Sequence, residues 1–119
     1  MTFRPPALLV AGLILCGFPV AAQPLSSGDE IAAAFSGNTV QGSLAASGNF
    51  EEYYDPSGAI RGSDYSGTWG VSGNQLCLSY DGDPPSCWSI SLSGQRAVWI
   101  GRNGEEGSGA ILKGNPRGY

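Results

Sequence analysis

Apolar residues recur at every second position over much of this chain, most regularly in two arms around residues 80–85. Leu76, Leu78 and Tyr80 alternate with Cys77 and Ser79, and Trp88, Ile90 and Leu92 alternate with Cys87, Ser89 and Ser91. A period of two is that of a strand with one buried face. The arms flank Tyr80-Asp81-Gly82-Asp83-Pro84-Pro85, a run of turn-forming residues, and so predict a hairpin whose apolar set faces the core. Upstream, Tyr65, Gly67, Trp69 and Val71 continue the inward set, with Ser66, Thr68 and Gly70 outward.

Short runs broken by Gly, Asn, Asp, Ser and Pro mark further strands. The pattern predicts strands near 38–42, 49–54, 59–62, 66–72, 75–80, 87–92, 96–101 and 108–112, and an irregular tail over 114–119. Asp55-Pro56-Ser57-Gly58 suits a type I turn finished by a left-handed glycine, and Ser72-Gly73-Asn74, Ser93-Gly94-Gln95 and Asn103-Gly104 are hairpin signals. Ahead of the strands, Ser27 with Glu30 three residues later forms a capping box. It opens a helix over about 27–36, whose Ile31 and Phe35, one turn apart, dock on the sheet. The expected fold class is all-β: a small antiparallel up-and-down meander of about eight strands forming a barrel or a coiled sheet, with one short N-terminal helix.

Residues 1–22 have one cation, Arg4, an apolar run over 7–15, and Val20 and Ala22 as small residues before Gln23. This is the pattern of a signal peptide cleaved after Ala22. The apolar run is too short to span a bilayer, and nothing after Gln23 offers a second one. Acylation at Cys16 is disfavoured because bulky Leu15 precedes it. Residues 23–119 then form one small β domain, periplasmic or secreted, with no membrane insertion after cleavage.

Cleavage leaves two of the three cysteines, Cys77 and Cys87, and in an oxidising compartment an even pair standing opposite one another in a hairpin is expected to form a disulfide. Loss of Arg4 takes the formal charge from −4 to about −5, which disfavours nucleic acid and anionic membranes as partners.

The segments SGNTVQG, EEYYDPSGAIRG, YSGTWGVSGNQLCLSY and CWSI resemble those of a family of short exported proteins of Gram-negative bacteria. The likeness runs from Ser36 to about Ile90. It implies an exported compartment and this architecture, and brings no catalytic residues.

Glu51, Glu52, Asp55 and Asp64 are the densest carboxylates, close to Tyr53, Tyr54 and Tyr65. Glycan hydrolysis needs two carboxyls facing one another across a cleft, whereas adjacent strand residues point to opposite faces. Solvated charge is the preferred reading of Glu51 and Glu52. Asp81 and Asp83 supply too few oxygens for calcium, so no metal is expected. With no histidine in the chain, a Ser-His-Asp triad is impossible. The only lysine, Lys113, has no serine partner in the pattern. Gly104 to Gly109 is glycine-rich but carries Glu105 and Glu106, which repel phosphate. No catalytic residue and no cofactor is therefore assigned.

Trp69, Trp88 and Trp99 are read first as core. Tyr53 and Tyr54 are adjacent, so one of them faces out, and Tyr53, Tyr54 and Arg61 form the first candidate binding patch. The loop over 81–85 is the second. The expected function is a non-enzymatic periplasmic binding or interaction module for an unknown protein or small ligand, its oligomeric state open. The alternative is a small glycan-active hydrolase using carboxylates near Glu51, Glu52, Asp55 and Asp64.

Overall fold

A computed structural model describes residues 24–119. The signal peptide expected over 1–22, with Arg4 and Cys16, lies outside the described residues. Eight strands follow one helix: α1 (Gly28–Phe35), β1 (Asn38–Leu44), β2 (Gly48–Tyr54), β3 (Ala59–Arg61), β4 (Ser66–Ser72), β5 (Gln75–Tyr80), β6 (Ser86–Ser93), β7 (Arg96–Gly101) and β8 (Gly104–Leu112). Each strand pairs antiparallel with the next and β8 returns to β1, so the sheet closes into a barrel. Closure removes both edges of the sheet, which otherwise present unpaired backbone groups to other chains.

Alternation decides what fills the barrel. Val40, Tyr54, Ile60, Leu76, Leu78, Ile90, Ala97, Trp99 and Ile111 are buried inside it. The outer wall carries Gln41, Ser43, Glu51, Tyr53, Thr68, Ser79 and Ser89 at the intervening positions. This polarity is the reverse of a transmembrane barrel, whose lipid-facing side is apolar. No helix among the described residues is long and apolar enough to cross a membrane.

The helix stops one end of the barrel. Its capping box is complete: the Glu30 backbone N–H donates to Ser27 Oγ, and the Ser27 N–H donates to Glu30 Oε1. Ile31 and Phe35 are fully buried, and the Phe35 ring meets Tyr54 and Trp99 edge-on, with centroids 5.1 and 5.8 Å away. At its start the helix presses on the β4–β5 turn, where the Gly28 N–H donates to Asn74 Oδ1. A Cβ on Gly28 would run into the Gly73 carbonyl, so the close approach requires glycine there.

Some strands are longer than their sequence pattern. β1 runs on to Leu44, and β8 starts at Gly104, four residues early, paired with β7 through an irregular register at Trp99/Ile100. Ser91, expected on an exposed outer face, is 1% exposed. β6 outruns β5, whose last paired residue is Gln75 opposite Ser89, and residues 24–26 lie along the vacant stretch. The Ser26 N–H donates to the Ile90 carbonyl, the Leu92 N–H to Ser26 Oγ, and Ser91 Oγ to the Pro24 carbonyl.

Cys77 and Cys87 stand opposite one another on β5 and β6 and are joined by a disulfide on the outer wall. The tail over 114–119 contains no strand but is ordered by its bonds. Thr39 Oγ1 donates to the Gly114 carbonyl, and Arg117 and Tyr119 both reach Glu51.

Candidate ligand-binding site

The end of the barrel away from the helix is open. The turns β1–β2, β3–β4 and β5–β6 rim a cavity of about 390 Å³, near the small end of the range of small-molecule pockets. Leu44, Phe50, Leu78 and Trp88 form its apolar wall, while Asp83 and Pro84 stand at the rim. The β5–β6 rim starts as an Asp-Gly turn: Asp81 and Gly82 have φ of 53° and 76°, and the Asp83 N–H donates to the Tyr80 carbonyl. Asp tolerates the left-handed conformation and Gly adopts it freely.

Glu52 lies at the floor, 2% exposed. On β2 it shares its parity with Phe50 and Tyr54, so all three project into the barrel. Three phenols donate to its carboxylate. The hydroxyls of Tyr54 and Tyr80 lie 2.8 and 2.6 Å from Oε1, and that of Tyr65 lies 2.7 Å from Oε2. An ionised carboxylate has about four acceptor positions, so these three bonds leave one on Oε2. Burial, followed by the negative charge of Glu52 beside them, raises the Tyr54, Tyr65 and Tyr80 phenols well above the usual 10.0. They remain protonated donors at neutral pH. Hydrogen bonds to a charged acceptor are the stronger kind, and these offset the cost of removing the Glu52 charge from water.

The residues singled out from the sequence are divided by the barrel wall. Tyr54 is fully buried and its ring packs edge-on with Trp69 at 5.8 Å, while neighbouring Tyr53 is half-buried on the outer wall opposite Arg61. The outer patch therefore comprises Tyr53 and Arg61, without Tyr54. The Arg61 guanidinium pairs with Asp55 at 3.2 Å, with the Arg61 side chain half exposed and that of Asp55 mostly covered. Asp55 sits at the β2–β3 turn beside the helix end. The Ser57 backbone N–H, then Arg61, hold its carboxyl below the ordinary range.

Glu51 faces outward. The Tyr119 hydroxyl at 2.7 Å, with Arg117 at 2.9 Å, holds its carboxyl below the ordinary range. Asp64 is exposed in the β3–β4 bend. The four carboxylates thus occupy the outer wall, the interior, the stoppered end and a surface bend. Only Glu52 lines the cavity.

The sequence pattern brought Glu52, Tyr54 and Tyr65 together as carboxylates beside tyrosines, but it missed Tyr80 and the inward direction of Glu52. The signal for that direction was the shared parity of Phe50, Glu52 and Tyr54, which places Glu52 inside once the aromatics are taken as core. Of the tryptophans, Trp99 is buried, Trp69 packs against the core, and Trp88 also lines the cavity. Among the described residues no group of three or more His, Cys, Asp or Glu side chains could hold a metal ion. Chemically the cavity offers an apolar wall, one acceptor position on a buried carboxylate, and no lysine or arginine in its lining.

No protein-family model matches the chain, and the searches for similar curated proteins and for similar solved structures found no match.

Proposed function

We propose that this chain is an exported, non-enzymatic binding module that holds one small molecule in the open end of its barrel. The observation that carries this reading is the cup itself, a preformed concave site whose apolar wall surrounds a single buried polar group. Sites of this composition, mouths of small barrels included, are typical ligand sites. The disulfide supports a role outside the reducing cytoplasm.

The neutral dye N-phenyl-1-naphthylamine tests this reading. Its fluorescence should rise saturably with one site per chain. Ser86 lines the cup and shares the inward parity of Trp88, so Ser86→Trp should fill the site and weaken binding by about tenfold or more. Absence of saturable binding, or binding unchanged in a folded Ser86→Trp protein, overturns the proposal.

A further inference from the structure

The cup's polarity specifies which small molecules it accepts. Its two charged lining residues, Glu52 at the floor and Asp83 at the rim, are both acidic, and lysine and arginine are absent from its lining. The chain as a whole is acidic, with a formal charge of −4. An anion entering the barrel would lose its hydration against this field without gaining a cationic partner, whereas a cation would gain an anionic one.

At the floor the hydrogen-bond inventory is unequal. Oε1 of Glu52 takes two phenol donors and Oε2 takes one. The remaining acceptor position on Oε2 calls for an N–H or O–H donor; either bond is strengthened by the charged acceptor, and a charged N–H fits best because it adds the attraction of opposite charges in a buried site. The surroundings agree. The Tyr65 and Tyr80 rings lie with centroids 5.9 Å apart, and Phe50 and Trp88 complete an aromatic lining. Aromatic faces attract ammonium groups, and the same rings with Leu44 and Leu78 cover an apolar body.

We infer that the cup's ligand is an organic ammonium ion with a compact apolar body, its N–H directed to Glu52 and its body held by Phe50, Leu78 and Trp88. This inference rests on the small-ligand reading above and specifies its chemistry. It also assigns Tyr65 a second role. Its ring lines the entrance, and its hydroxyl takes up acceptor capacity on the same oxygen that would receive the ligand.

Three probes of nearly equal shape separate the possibilities: 2-phenylethylammonium, 2-phenylethanol and 3-phenylpropionate, titrated calorimetrically at neutral pH. The ammonium ion is expected to bind about tenfold more tightly than the alcohol, and the carboxylate weakest of the three. Glu52→Gln should abolish the preference for ammonium over alcohol. Tyr65→Phe keeps the ring but removes one donor from Oε2, so it should widen the preference by about threefold. A loss of mere packing would instead weaken all probes together.

Equal binding of ammonium and alcohol by the native protein, or a preference that persists in folded Glu52→Gln, overturns the inference. Should Glu52→Gln not fold, Tyr65→Phe decides, and a preference that narrows overturns it. If N-phenyl-1-naphthylamine binds but the ammonium shows no advantage, the ammonium assignment fails and the small-ligand reading stands. If none of the four compounds binds, both fail.

Discussion

Glu52 is the residue on which the interior depends, because it places a carboxylate inside an otherwise apolar barrel. Its three phenol donors come from Tyr54 on the same strand and from Tyr65 and Tyr80, 13 and 28 residues further on. The parity of Glu52 was legible in the sequence, but this compensation was not, since it depends on β2, β5 and the bend before β4 converging on one point. Reading Glu51 and Glu52 together as solvated charge fails inside the barrel, where Glu52 is 2% exposed, and on the outer wall too, where Arg117 and Tyr119 cover Glu51 and leave its side chain 17% exposed. The same cluster makes a prediction at alkaline pH. Tyr54, Tyr65 and Tyr80 have pKa values raised above the ordinary 10.0 in the fold, by burial and then by Glu52. The folded state thus holds these protons more tightly than the unfolded chain does. Their contribution to stability is fully present below about pH 10 and declines as pH rises toward the folded-state values. In an alkaline titration, phenolate absorbance from these three of the five tyrosines should appear together with the loss of far-ultraviolet circular dichroism. Reversible ionisation of all five near the ordinary value, with the barrel intact, would show that the cluster does not protect them.

The hairpin of β5 and β6 was the most legible element, because both of its arms could be checked against a period of two and the cysteines fell opposite one another. The helix was nearly as clear, its capping box being a local signal satisfied by residues three apart. Illegible was the cover that residues 24–26 lay over Ser91, the work of a neighbour remote in sequence; the extra lengths of β1 and β8 were also missed, although each pairs locally, Leu44 with Gly48 and Gly104 with Gly101. The hairpin carries its own prediction. Cys77 and Cys87 are separated by 10 positions, and closing a loop of that size is worth about 2.5–3 kcal/mol in the chain-entropy model. For a domain of roughly 100 residues this corresponds to a fall in Tm on the order of 10 °C or more on reduction. Native protein should also be two hydrogens lighter than reduced protein by intact mass. Two alkylatable thiols in native material, or an unchanged Tm after verified reduction, would contradict the staple.

Closure of the barrel belongs to the whole molecule, and the sequence left it open between a barrel and a coiled sheet. The deciding contact pairs the first strand with the last, and alternation within either strand says nothing about their meeting. What permits it is a run of glycines along the seam. Gly42 stands opposite Gly109, and Gly107 opposite Leu44, so the two backbones approach where side chains would hold them apart. A Cβ on Gly42 would run into the Ser108 carbonyl and come within 2.7 Å of Gly109 Cα. These are backbone atoms that cannot step aside as a flexible side chain can. Gly42→Ala should therefore strain the seam and cost about 1–3 kcal/mol in chemical denaturation, the usual range for overpacking. Gly70 on β4 provides the matched control. It is also a strand glycine, yet a Cβ there meets nothing within 4 Å, so Gly70→Ala should be neutral or stabilise by a few tenths to about 1 kcal/mol. Because the seam also anchors Leu44 at the lip of the cup, Gly42→Ala should weaken N-phenyl-1-naphthylamine binding while Gly70→Ala leaves it unchanged. Equal stability changes in the two variants would mean that the approach of β1 and β8 is not what the glycines serve.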